Sequence, residues 1–117
     1  MRERGLGEFE GKKTGEADWE ALSGDFFTNK PSAGESFGEV WIRLEKFYGK
    51  ISNKHIEDTV LIVGHGGSVC LLQGLIYGNK LQESMKLEKL KNTAISEFEI
   101  SKNGEYKVIS LNCDQHI

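Results

Sequence analysis

Positive charge is in short supply: 15 lysines and arginines stand against 18 aspartates and glutamates in 117 residues, a net charge of −3. Nucleic-acid binders need a basic surface to displace counterions from the phosphates, so a DNA or RNA partner is not expected. No stretch approaches the roughly 20 apolar residues that span a bilayer. The opening residues MRERGLGEFE hold no apolar signal core either, which leaves no membrane association to expect and makes the cytoplasm the expected location. Only two cysteines occur, Cys70 and Cys113, both in apolar sequence and without a CxxC spacing. Reduced, buried thiols are expected rather than a disulfide, and no metal site is indicated. Proline appears once, at Pro31. No repeat or low-complexity tract divides the chain, whose length suits one small domain.

Residues 1–35 are rich in glycine, glutamate and lysine with few apolar positions. Loop is expected there, with a short helix around Trp19 to Leu22. From Ser36 onward the pattern changes. Phe37, Val40, Trp41, Leu44, Phe47 or Tyr48, and Ile51 recur at spacings of three and four, which places them on one helical face. Ser36 followed by Glu39 forms a capping box at the start of that helix. Residues 59–63, TVLIV, are a short β-branched run with no polar face, as in a strand buried on both sides of a parallel sheet. After the glycine turn at 64–67, residues 69–77 predict an apolar helix ending at Gly78 and Asn79. Leu81, Met85, Leu87 and Leu90 anchor a charged stretch of loop or short helix. Residues 94–100 and 105–111 predict two strands of a hairpin turning at Lys102, Asn103 and Gly104. Helix, buried strand, helix and hairpin together predict an α/β layer fold.

The segment VLIVGHGGSV delivers His65 to the carboxyl end of the expected strand. In open α/β sheets ligands bind at that end, where a helix start offers unpaired N–H groups to an anion. A histidine there is equally at home as a cap on a neighbouring carbonyl, so this segment alone leaves both roles open. Glu3, taken alone, reads as a solvated glutamate in a charged stretch.

Four segments in order carry a family resemblance. Residues 2–11, RERGLGEFEG, are similar to a glutamate-led stretch ending in aromatic-Glu-Gly. Residues 32–36, SAGES, open the helix that carries Arg43. The GHGG turn follows the apolar run, and residues 90–95, LKNTAI, contain Asn92 at the entry to a late strand. In this order and at these separations they resemble the histidine phosphatase superfamily, whose members include phosphoglycerate mutases and small-metabolite phosphatases.

That resemblance implies an incomplete phosphoglycerate-mutase-like domain over residues 1–117, a three-layer α/β/α fold with a mixed, mostly parallel sheet. It implies a phosphatase acting on a small phosphorylated metabolite through a phosphohistidine, with no cofactor. His65 would be the second active-site histidine, stabilising the transferring phosphoryl oxygens. Glu3 would be the general acid and then the base. Arg4, Gly66, Gly67 and Asn92 would contact substrate. Glu35 would tether its loop, and Arg43 would be an ion-pair partner.

The chain departs from the family at two points: neither the Arg-His-Gly segment that holds the phospho-accepting histidine nor the further phosphate-binding arginine that the family carries before the Glu3 segment occurs. His55 and His116 lie in other contexts. A truncated, inactive piece is therefore expected, with a non-catalytic phospho-ligand or protein-binding module, or a mutase, as the alternatives. Without the first strand of the family fold, the strand at 59–63 would keep an open edge, so association into a homo-oligomer through that edge is expected.

Overall fold

The computed structural model describes residues 1–13, 28–88 and 90–116. The short helix expected around Trp19 to Leu22 lies outside the described residues. Among the described residues a 3-10 turn at Gly7–Phe9 is followed by three helices: α1 (Phe37–Lys54), α2 (Gly66–Ile76) and α3 (Leu81–Ser84). Strands β1 (Ile95–Ile100) and β2 (Tyr106–Cys113) close the chain as an antiparallel pair.

Helix α1 starts where its capping box stands. Ser36 Oγ accepts the Glu39 N–H at 3.1 Å and the Glu39 carboxylate accepts the Ser36 N–H at 2.9 Å, satisfying two of the helix's otherwise unpaired donors. Its apolar face buries Val40 and Leu44 at 1% exposure against Leu71 of α2 at 2%. Met1, Phe37, Trp41, Leu75, Leu81 and Met85 pack around these three residues. Helix α2 stops at a Schellman motif: the Asn79 N–H reaches Gly74 O at 2.9 Å and the Gly78 N–H reaches Leu75 O at 3.1 Å. Gly78 supplies the positive φ of 74° that this motif needs. Where α3 crosses α2, a Cβ on Gly74 would meet Ser84 Oγ at 1.8 Å, so only glycine allows this approach.

The hairpin turns through Ser101, Lys102, Asn103 and Gly104. Gly104 N–H donates to Ser101 O at 3.1 Å, and Ser101 N–H to Glu105 O at 2.8 Å. Gly104 takes the left-handed conformation at φ 82°. Tyr77, capping α2, seats the hairpin by edge-on contact with Phe98 at 5.9 Å and a tilted contact with Tyr106 at 5.1 Å. Cys70 is buried, Cys113 half-buried, and both are free thiols.

The structure is of α/β composition, but its sheet differs from the expected one. Among the described residues the only sheet is the two-stranded β1–β2 pair, and residues 59–63 join no ladder. A parallel strand depends on neighbours distant in sequence, and the described residues bring none to its edges. Leu61 and Val63 are accordingly 85% and 75% exposed.

Candidate functional site

Two chain segments meet at the start of α2. The first is the extended arm of residues 2–8, laid against the loop that precedes α1. Glu35 N–H donates to Gly5 O at 2.7 Å and Glu8 N–H to Ser32 O at 3.0 Å. At Gly7, with φ 52°, a Cβ would fall 2.0 Å from Ser32 O. This close backbone approach requires glycine.

The arm is fastened by one carboxylate. Glu35 accepts Arg2 Nη2 at 2.8 Å, Arg43 Nε at 3.0 Å, Arg43 Nη2 at 3.3 Å and the Gly5 N–H at 2.8 Å. Burial pushes the Glu35 carboxyl up, but the Gly5 amide, Arg43 and Arg2 together outweigh it and hold it below the usual carboxylate range. The same Arg43 Nη2 also donates to the carbonyls of Arg2 and Glu3, each at 3.0 Å. Arg4 turns into the loop before α1: Nε donates to Glu35 O at 2.6 Å, Nη2 to Asn29 O at 3.4 Å, and the guanidinium lies 4.2 Å over the Phe37 ring. Burial draws the Arg4 guanidinium below its ordinary value, against the opposing pull of Glu35.

The second segment is the glycine turn. His65 is the N-cap of α2, with Gly66, Gly67 and Ser68 in its first turn and no acidic side chain there. The first helical bond runs from the Val69 N–H to His65 O at 2.9 Å. The buried Ser68 hydroxyl donates to His65 O at 3.1 Å and accepts the His65 N–H at 3.4 Å. His65, Gly66 and Gly67 are exposed at the positive end of the helix dipole, where the first N–H groups of a helix have no partner within it.

The half-buried Glu3 carboxylate closes the arrangement. Its Oε1 accepts the Arg4 N–H at 3.0 Å and lies 3.0 Å from where a Cβ on Gly67 would sit. Glu3 thus lies against Gly67, in the turn that His65 and Gly66 open, although more than 60 residues of sequence separate it from that turn. A carboxylate, an imidazole and helix-terminal amides are groups that acid–base and phosphoryl-transfer chemistry employ.

The family model described as histidine phosphatase superfamily (branch 1) matches residues 1–114. The chain belongs to the histidine phosphatase superfamily. It is 28% identical over 116 residues to "Phosphoglycerate mutase-like protein 4" of Arabidopsis thaliana, an alignment covering 92% of this chain and 48% of that protein. The chain therefore spans about half the length of the curated relative it matches. No solved structure gives a significant match.

In this histidine phosphatase chain Asn92 belongs to the stretch between α3 and β1. It is exposed in the loop before β1, its carbonyl accepting the Thr93 hydroxyl at 2.6 Å. Around it, His116 Nε2 contacts Thr93 O at 2.8 Å and Lys91 pairs with Asp114. A concavity of about 650 Å³ lies at the other end of α2, lined by Tyr48, Leu75, Tyr77 and Tyr106 among others. An 11-residue helix separates it from His65 by roughly 16 Å, and its lining includes none of Glu3, Arg4, His65, Gly66, Gly67 and Asn92. Among the described residues no group of His, Cys, Asp and Glu is placed to hold a metal ion, and no helix is long and apolar enough to cross a membrane.

Sequence reasoning found Glu35 and Arg43 as a tether and an ion-pair partner. It missed Arg2, the second cation on Glu35, and the grip of Arg43 on the Arg2 and Glu3 carbonyls. A side chain's bond to a carbonyl distant in sequence leaves no local pattern to find.

Proposed function

We propose that the α2 turn and the arm carrying Glu3 form the phosphoryl-clasping and acid–base part of a histidine phosphatase site, which hydrolyses a small phosphorylated metabolite. The observation that carries this reading is the Glu3 carboxylate lying against Gly67 on the same turn as His65. The amides of Gly66 and Gly67 and the His65 imidazole donate to phosphoryl oxygens, where negative charge is held through transfer. Glu3 carries its proton to the leaving oxygen as the phosphorus–oxygen bond breaks. In the second half-reaction it takes a proton from the water that releases phosphate.

The nucleophile in this scheme is the histidine of an Arg-His-Gly segment, which the 117 residues do not contain. Hydrolysis therefore needs that segment, and the present chain is inactive alone. Hydrolysis is preferred to mutase chemistry because the short connection between residues 78 and 92 offers little to close over and retain a phosphorylated intermediate. In the complete three-layer fold residues 59–63 become a central strand of a mostly parallel sheet, delivering His65 at its carboxyl end. Unpaired, the same residues favour homo-oligomeric association.

Aryl phosphate hydrolysis tests the scheme. Activity is expected when an Arg-His-Gly segment is joined upstream, and is expected to be lost with His65→Ala. Hydrolysis by the 117-residue chain that disappears with His65→Ala would instead make His65 the nucleophile. Activity indifferent to His65 in either form would remove the proposal altogether.

A further inference from the structure

We infer that Arg43 and Glu35 are positioning residues that set the Glu3 carboxylate against the first turn of α2. The inference rests on Glu3 and the α2 turn being the site proposed above, but its geometry can be tested without any ligand.

Glu3 does little to place itself. Its carboxylate accepts a bond from the adjoining Arg4 amide, which fixes it relative to its own backbone alone. What holds that backbone comes from residues 35 and 43. Arg43 Nη2 takes the carbonyls of Arg2 and Glu3. The Glu35 carboxylate takes the Gly5 N–H. The Glu35 main chain binds Gly5 O through its N–H and Arg4 Nε through its carbonyl. Residues 2–5 are thus pinned on both sides of Glu3.

The two pinning residues are themselves fixed. Glu35 directly precedes the N-cap Ser36, which is 5% exposed and locked in the capping box. Arg43 lies seven residues beyond that cap, about two helical turns on, so it stands over the helix start and reaches Glu35. Helix α1 is in turn packed on α2 through Val40, Leu44 and Leu71. A closed path results: α2 locates α1, α1 carries Arg43 and fixes Glu35 just ahead of its N-cap, these hold the arm, and the arm returns Glu3 to α2 at Gly67. Both halves of the site share one core as their frame.

The guanidinium fork is what the task requires. Arg43 uses Nε and Nη2 together, toward a carboxylate and two carbonyls at once. A lysine ammonium keeps the charge but is a single point on a flexible stem and cannot reproduce that fork.

The test is NMR on the full 117-residue chain. In the native background Glu3→Gln is expected to shift the Gly67 amide resonance, because the carboxylate lies against that glycine. In an Arg43→Lys background the same Glu3→Gln change is expected to shift Gly67 by less than half as much, with the methyl resonances of Val40, Leu44 and Leu71 unmoved. Should Arg43→Lys unfold the chain, Glu35→Gln takes its place, with the same expectation. An undiminished Gly67 shift in the variant background overturns the inference.

Added inorganic phosphate separates this inference from the site proposal. Exchanging the carboxyl that lies against Gly67 for an amide is expected to change the affinity of the turn for phosphate. That change is expected with Glu3→Gln alone and is expected to vanish with Arg43→Lys. Phosphate that leaves Gly66 and Gly67 unmoved in the native chain counts against the site proposal. The Gly67 shift comparison decides the positioning role in either case.

Discussion

Single residues decide whether the arm reaches α2. Gly7 is held at φ 52°, and a Cβ there would sit 2.0 Å from Ser32 O. Gly7→Ala therefore combines backbone strain with a backbone clash and is predicted to cost about 2–3 kcal/mol in urea unfolding. A loss under about 0.5 kcal/mol, typical of neutral surface changes, would show that the arm does not hold this conformation. Glu35 adds a pH dependence of known sign. Its pKa is lowered in the folded chain, so its contribution is fully present above the unfolded value of roughly 4.3 and lost as pH falls through the folded value. Thermal unfolding should show native and Glu35→Gln chains converging in stability as pH drops below about 4. Glu39 and Asp114 are lowered as well, by Lys30 and Lys91, so the difference between the two chains is the informative quantity.

At the scale of elements, what could be read from sequence depended on how local each cause was. Helix α1 was legible at its start and along its buried face, because the capping box and the three–four spacing are properties of neighbouring residues. The hairpin was legible for the same reason, with Asn103 and Gly104 marking its turn. Helix α2 begins three residues before the expected Val69: Gly66 and Gly67 have poor helix propensity, and the bonds that close this first turn join His65 to Ser68 and Val69. The strand expected at 59–63 needed partners that a local pattern cannot supply. Of the site, the nature of the α2 turn was visible, but the contact between Glu3 and Gly67 came only from the folded arm. Packing of α3 on α2 gives a prediction at this scale. Gly74→Ala is expected to destabilise the chain by about 1–3 kcal/mol, despite the helix propensity gained. Ser84→Gly in the same chain should recover part of that loss in a double-mutant cycle, because Ser84 Oγ and Cβ are the atoms the new methyl meets. Independent, additive effects would contradict the contact.

The whole molecule is open for its size. Its accessible surface is 8279 Å², against roughly 6400 Å² for a compact monomer of this mass. The Cα radius of gyration is 15.5 Å, against about 13.4 Å for a compact chain of this length. The excess is apolar in part: Val60, Leu61 and Val63 stand exposed, as do Ile95, Val108, Ile109 and Leu111 of the hairpin. Exposed apolar side chains on an unpaired backbone favour association. Sedimentation equilibrium is predicted to give an apparent mass that rises with concentration and falls toward 13.1 kDa on Leu61→Lys. A concentration-independent monomer would show that this segment is covered within the chain itself.

The claim on which the functional account depends is that the α2 turn binds a phosphoryl group. An inorganic phosphate titration followed by amide resonances addresses it most directly. The account predicts saturable shifts centred on Gly66 and Gly67, weakened by His65→Ala and leaving Asn103 and Gly104 of the hairpin turn unmoved. Shifts absent from the turn, or unchanged by His65→Ala, would contradict it.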